Sequence, residues 1–185
     1  MAKRLFFALP ITFGLYPKIS NLEKEISKKL KVNWIPLENL HLTILFLGYL
    51  KENDVFLLDK VIDSLQTNYS QYLKKLHLKI NKIDYGPPNK KRMIWLYIDK
   101  NQDLDNLRNL IISKLVEAGI NFKREERDFL PHINLVRLKF KSEKLPNIEK
   151  RLEWGVIFNR LNLYESYLEK PFSRYEILKS IKLNS

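Results

Sequence analysis

Residues 39–46 read NLHLTILF, and residues 130–137 read LPHINLVR. In each stretch a histidine opens a short apolar run, and a hydrogen-bonding side chain, Thr43 or Asn134, follows two positions later. The chain has 3 histidines in 185 residues, so two of them stand in matched contexts. Along a strand, residues i and i+2 face the same way. His41 and Thr43 therefore share one side, and Leu42 and Ile44 take the other. His132 and Asn134 are set in the same way against Ile133 and Leu135. Each run predicts a strand with an apolar face for a core and an opposite face that offers an imidazole beside a polar group.

Working outward, RLFFALPI at residues 4–11 has strand length, and the segment after it is apolar at Ile19, Leu22, Ile26 and Leu30, a helical spacing. HLTILFLGYL, with Gly48 near its end, follows as a mostly buried strand. The order then repeats. RMIWLYID at residues 92–99 precedes a helical pattern through Leu104, Leu107, Leu110, Ile111 and Leu115, with Gly119 as its stop, and then HINLVRLKF. An offset of 88 pairs Arg4 with Arg92, Ile19 with Leu107, Asn21 with Asn109, Leu22 with Leu110, and Asn33-Trp34 with Asn121-Phe122. The loop before the second histidine is three residues longer, so His41 pairs with His132 at 91.

Between the two units lie a helical pattern at residues 54–67 and the strand LHLKINKIDYG, and the turn YGPPNKKR marks the expected lobe boundary. At the end of the chain EWGVIFNRLNLYESYL and RYEILKSIKL read as two strands joined around EKPFS. The predicted fold is α+β: one domain over residues 1–185, made of two interleaved, pseudo-symmetric antiparallel-sheet lobes with outer helices around a central cleft.

Lys+Arg exceed Asp+Glu by 33 to 21, a formal charge of +12, which favours polyanionic partners such as nucleic acid. KEISKKLK, NKKR and FKREER are the clusters that could track an RNA backbone. The absence of cysteine excludes disulfides, thiolate nucleophiles and cysteine-based zinc sites, and fits a reducing, cytoplasmic setting. The apolar start, MAKRLFFALPITFGLYPK, outlines a signal peptide, but Pro10 interrupts it and no small-x-small cleavage site follows. It reads better as a core strand. No run approaches the ~18 apolar residues of a membrane span. The expectation is a monomer without membrane association.

If the two units are related by a pseudo-two-fold axis, both histidines face one cleft. Two imidazoles near neutral pH can divide acid and base work between them, which suits hydrolysis of a phosphodiester without a metal. One neutral histidine deprotonates water, and one imidazolium protonates the departing oxygen. Thr43 and Asn134 can donate to the non-bridging phosphate oxygens, where charge accumulates. His77, in LHLKI, has no motif partner and is expected to face solvent or a small polar contact. Trp34, Trp95 and Trp154 sit in apolar contexts and are expected in the core.

HLTI and HINL resemble the paired His-x-Thr/Ser-x motifs of the 2H phosphoesterases. RLFFAL, ENLHLTILFLG, RMIWL, PHINLVR and NRLNLYES are similar to the RNA 2′,3′-cyclic phosphodiesterase branch, also called the RNA 2′-5′ ligase family. The resemblance implies a bilobal fold and opening of a 2′,3′-cyclic phosphate at an RNA end, or of a cyclic nucleotide, to leave a 2′-phosphate. It implies no metal, cofactor or ATP, with 2′-5′ joining as the reverse reaction. It makes His41 the acid toward the 3′ oxygen, His132 the base toward water, and Thr43 a phosphate ligand. Asn134 departs from the expected Thr or Ser, which leaves a catalytically weakened RNA-end-binding protein as the alternative. 2′-5′-linked oligonucleotides are a further substrate option. Arg137 matches a basic position of the second motif and is a candidate phosphate contact. Strand parity turns it away from the cleft, and only a bulge would return it. Arg4 and Arg92 open the paired strands and are candidates for the cleft rim.

Overall fold

The computed structural model describes residues 2–122, 128–138 and 145–184. The elements run β1 (Lys3–Pro10), α1 (Tyr16–Ser27), β2 (His41–Leu50), α2 (Glu52–Asn68), β3 (Leu76–Gly86), β4 (Met93–Ile98), α3 (Gln102–Glu117), β5 (His132–Arg137), β6 (Lys150–Phe158), β7 (Arg160–Tyr167) and β8 (Arg174–Lys182). The strands form one antiparallel sheet in the order β6-β3-β4-β5-β2-β1-β7-β8. It consists of two four-stranded lobes placed edge to edge. Among the described residues, the two central strands share one registered pair, Leu42↔Ile133.

Helix periodicity explains what covers the sheet. Ile19, Leu22 and Ile26 of α1, Leu58, Val61, Ile62 and Leu65 of α2, and Leu104, Leu107, Ile111 and Leu115 of α3 are buried in one cluster. The strand residues in that cluster include Leu5, Phe7, Leu9, Leu42, Ile44, Ile133 and Leu135. All three helices therefore cover the same face. At the start of α3, Asn101 Oδ1 accepts from the N–H of Leu104 at 3.0 Å. At its end Gly119 takes φ +72, and the N–H of Ile120 donates to the carbonyl of Leu115, the Schellman closure that Gly119 was expected to provide. No helix among the described residues is long and apolar enough to cross a membrane.

The opposite face, which no helix among the described residues covers, is the side on which the cleft is expected. Phe6, Ala8 and Tyr164 form a second, small apolar cluster there, with Tyr175 packed on it.

Three sequence expectations change. YGPPNKKR is a hairpin within one lobe, since the N–H of Arg92 bonds to the carbonyl of Gly86 and β3 pairs with β4. The segment 153–168 is two strands that part at Asn159: β6 pairs with β3 in the second lobe, and β7 with β1 in the first. Its unbroken apolar pattern conceals a change of partner, because both strands satisfy the same alternation.

The third change is the repeat offset in the first strand of each unit. Pro10↔His41 and Ala8↔Thr43 in one lobe answer to Tyr97↔His132 and Trp95↔Asn134 in the other, an offset of 87 and not 88. Arg4 and Arg92 are therefore not equivalent. Leu5 to Leu9 are buried on both faces, so hydrophobicity could not distinguish registers one residue apart.

Candidate active site

The pair Leu42↔Ile133 points to the helix side, so its neighbours His41, Thr43, His132 and Asn134 point to the cleft side. Antiparallel counting from that pair sets His41 across from Asn134 and Thr43 across from His132. The two histidines are diagonal neighbours, a relation that in a regular antiparallel pair sets residues about 7–8 Å apart.

Each ring is tied in the same way. His41 Nδ1–H donates to the carbonyl of Asn39 at 2.8 Å, and His132 Nδ1–H donates to the carbonyl of Leu130 at 2.7 Å. A carbonyl can only accept, so a neutral ring carries its hydrogen on Nδ1 and its lone pair on Nε2.

The surroundings of the two rings differ. His41 sits among Phe6 at 5.1 Å, Tyr175 at 5.3 Å and Tyr164 at 6.0 Å between ring centres. Burial, opposed by the Asn39 carbonyl and reinforced by the charges of His132 and Arg137, brings its pKa down from 6.5 to about 4. The free protein holds His41 neutral at physiological pH. His132 lies flat on the indole of Trp95, 3.6 Å between centres with an 18° tilt. Trp95 in turn fills the space over Gly86, where any added Cβ would collide with the indole.

Bulges place the fifth residue after each histidine. In β5, Trp95 pairs with Asn134 and Ile94 with Val136, so Leu135 is extra and the alternation inverts after it. Arg137 is thereby brought to the cleft side, close enough for its charge to act on His41. Parity without the bulge had turned it away. In β2, Ala8 pairs with Thr43 and Phe7 with Leu45, so Ile44 is the matching bulge. Phe46 emerges on the cleft side, 43% exposed and 5.8 Å from Phe6. Both strands share the burial pattern of half-buried, buried, half-buried, buried, buried, exposed over these six positions.

Asn134 keeps its side chain on this face, but Oδ1 is buried without a hydrogen-bond partner. The amide oxygen is turned into the protein, as a donor role for Nδ2 requires. Arg4 donates from Nη1 to Ser166 Oγ at 2.9 Å across the first lobe. Arg92 is exposed in the hairpin, and its carbonyl accepts from the N–H of Leu138 just beyond Arg137. The basic turn NKKR therefore adjoins the Arg137 end of the site. KEISKKLK lies at the solvent side of α1 and the loop after it, and residues 123–127 of FKREER lie outside the described residues. His77 is exposed, as expected. Trp34 and Trp154 are half-buried against the core.

The sequence reading set Trp95 aside and passed over Phe6, Phe46, Tyr164 and Tyr175. The strand order brings Tyr164 and Tyr175 beside His41 from more than a hundred residues away. Phe46 was legible in principle, because it stands five residues after its histidine as Arg137 does.

The chain is 28% identical over 183 residues to the RNA 2′,3′-cyclic phosphodiesterase of Methanocaldococcus jannaschii, covering 95% of this chain and 98% of that one. It is 26% identical over 178 residues to the protein of the same name from Bacillus subtilis, covering 94% and 93%. The crystal structure of E. coli LigT complexed with 3′-AMP has the same fold, with a TM-score of 0.75 at 21% identity and 100% of each chain covered. The model of the AKAP7 2′5′ RNA ligase-like domain matches residues 5–185, nearly the whole chain, and this protein belongs to that family.

Proposed function

We propose that this protein hydrolyses 2′,3′-cyclic phosphates at RNA ends to 2′-phosphates by two-histidine acid/base catalysis. The observation that carries the reading is the matched pair of imidazoles. Both lie on one face, flanking the inter-lobe pair Leu42↔Ile133, and each Nδ1 donates to a backbone carbonyl, which puts the lone pair of the neutral ring on Nε2. The curated relatives at 26–28% identity bear the name of this activity.

Water attacks phosphorus and loses a proton to one imidazole as the bond from phosphorus to O3′ breaks. The other imidazole gives its proton to O3′, leaving a 3′-hydroxyl and a 2′-phosphate. Thr43 Oγ1, Asn134 Nδ2 and the Arg137 guanidinium serve the non-bridging oxygens. No metal is needed for this proton traffic. With an RNA 5′-hydroxyl in place of water as the nucleophile, the same step joins ends through a 2′-5′ linkage: the bond from phosphorus to O5′ forms, the bond to O3′ breaks, and O3′ takes the proton.

With His41 as the acid, its proton must be stabilised by the arriving phosphate, since the free protein disfavours it. That same observation favours a second assignment with His41 as the base. A substrate whose leaving group needs no proton separates them: it restores turnover to the alanine variant that has lost the acid and not to the one that has lost the base.

The binding-only alternative rests on Asn134 itself, which stands where the second motif expects Thr or Ser. Incubation with RNA ending in a 2′,3′-cyclic phosphate, in EDTA, decides the matter. Formation of a 2′-phosphate that is lost in both His41→Ala and His132→Ala supports the enzyme. Tight binding without turnover supports the alternative, and activity abolished by EDTA contradicts the mechanism.

A further inference from the structure

Both histidines depend on a seam that has, among the described residues, one registered pair, and on either side of Leu42↔Ile133 the central strands part. Toward Leu135 the gap is closed by the first lobe. The carbonyl of that bulge residue accepts the N–H of Ile35 at 2.9 Å, and Trp34 forms a bridge with Val136. Toward Ile44 it is closed from the second lobe by a side chain. Arg108, on α3, donates from Nε to the carbonyl of Ile44 at 3.2 Å, and its guanidinium stands 4.9 Å from the ring centre of Phe129. Phe129 adjoins Leu130, whose carbonyl holds the Nδ1 of His132. Each lobe thus lends a donor to the other's bulge.

We infer that Arg108 is a positioning residue: by bridging the Ile44 carbonyl to the Phe129 ring it sets the separation of His41 from His132. The inference rests on the proposed function for its catalytic consequence and on geometry alone for its structural one. A guanidinium suits the place because its Nε–H donates in plane while its face packs on an aromatic ring; an ammonium cannot do both. Arg108 lies on a helix that covers the opposite face of the sheet from the cleft. It touches no reacting atom. A misplacement of about 1 Å between catalytic groups is enough to lower a rate by ~10²-fold.

The test uses Arg108→Met and Arg108→Lys in the full chain, each first checked for a cooperative melt. Histidine ring resonances are assigned with the single histidine variants, and His77 on β3 serves as the internal reference. Those of His41 and His132 should move in both variants while that of His77 stays. On RNA ending in a 2′,3′-cyclic phosphate, kcat should fall about 30- to 100-fold with KM changed less than about threefold, and lysine should rescue little. Unmoved His41 and His132 resonances, or an unchanged kcat in a folded variant, would overturn the inference. If Arg108→Met fails to fold, Arg108→Lys carries the test. A wild-type chain without turnover would defeat the functional reading, and the resonances would still decide the role of Arg108.

Discussion

Phe46 and Arg137 hold the same place in the two lobes: each stands five residues past its histidine, beyond a one-residue bulge, exposed on the cleft side. The backbone is symmetric there and the chemistry is not. An RNA end is itself asymmetric, with a charged phosphate to be held and a base to be stacked. Under the proposed function, a guanidinium in one lobe and a phenyl ring in the other would divide those tasks without altering the strands that carry the imidazoles.

Arg137→Met should therefore act on the phosphate and Phe46→Ala on the base. For Arg137→Met, kcat/KM should drop by about 10²-fold, as for removal of one donor to a developing charge. The His41 midpoint should rise above its value of about 4, since the Arg137 charge helps to depress it. For Phe46→Ala, KM for RNA should rise by roughly tenfold, within the range of one lost base stack, with kcat kept. Steady-state kinetics and an NMR titration of His41 check both. Equal losses in kcat from the two variants would contradict the division.

Acid should unfold the protein partly through His41. Its pKa is 6.5 in the unfolded chain and about 4 in the folded one, so between those values the unfolded chain holds more protons. Stability then falls as pH drops from 6.5 toward 4, by up to ~3 kcal/mol, and this group adds no dependence above 6.5. Urea melts of wild type and His41→Phe across that window test it. The wild type should lose stability more steeply than the variant, and parallel slopes would be inconsistent with a depressed midpoint.

Asn134→Thr should raise both stability and rate. It removes a buried carbonyl that has no partner, a group whose burial costs about 1–3 kcal/mol, and puts a hydroxyl donor one atom nearer the strand. The melting temperature should increase by roughly 2–4 °C and kcat by about tenfold or more. Calorimetry and kinetics measure these. A lower melting temperature would mean that the amide makes contacts that a hydroxyl cannot replace.

The site was legible where the signal was local. His41, Thr43, His132 and Asn134 share a face because strand alternation fixes side-chain direction over two residues, and that rule needs no partner strand. Arg137 fails the rule because Leu135 is a bulge, a feature set by how β4 pairs with β5 and not by the hexapeptide itself. Trp95 is buried, as its apolar flanks suggested, but on the histidine side of the sheet, beneath His132. Deciding between the two sides requires the 87-residue register, which an all-apolar β1 cannot supply. Tyr164 and Tyr175 reach His41 through the return of β7 and β8 to the first lobe, an outcome of sheet order.

The central claim is that His41 and His132 act together on one phosphate, and a double-variant cycle tests it most directly. Turnover of RNA ending in a 2′,3′-cyclic phosphate is measured for His41→Ala, His132→Ala and the double variant. Groups that work as one unit lose nearly everything on the first removal. The double variant should therefore be no more than about threefold slower than either single variant. Losses that multiply, or a single variant with near wild-type turnover, would mean that the two rings do not share a substrate.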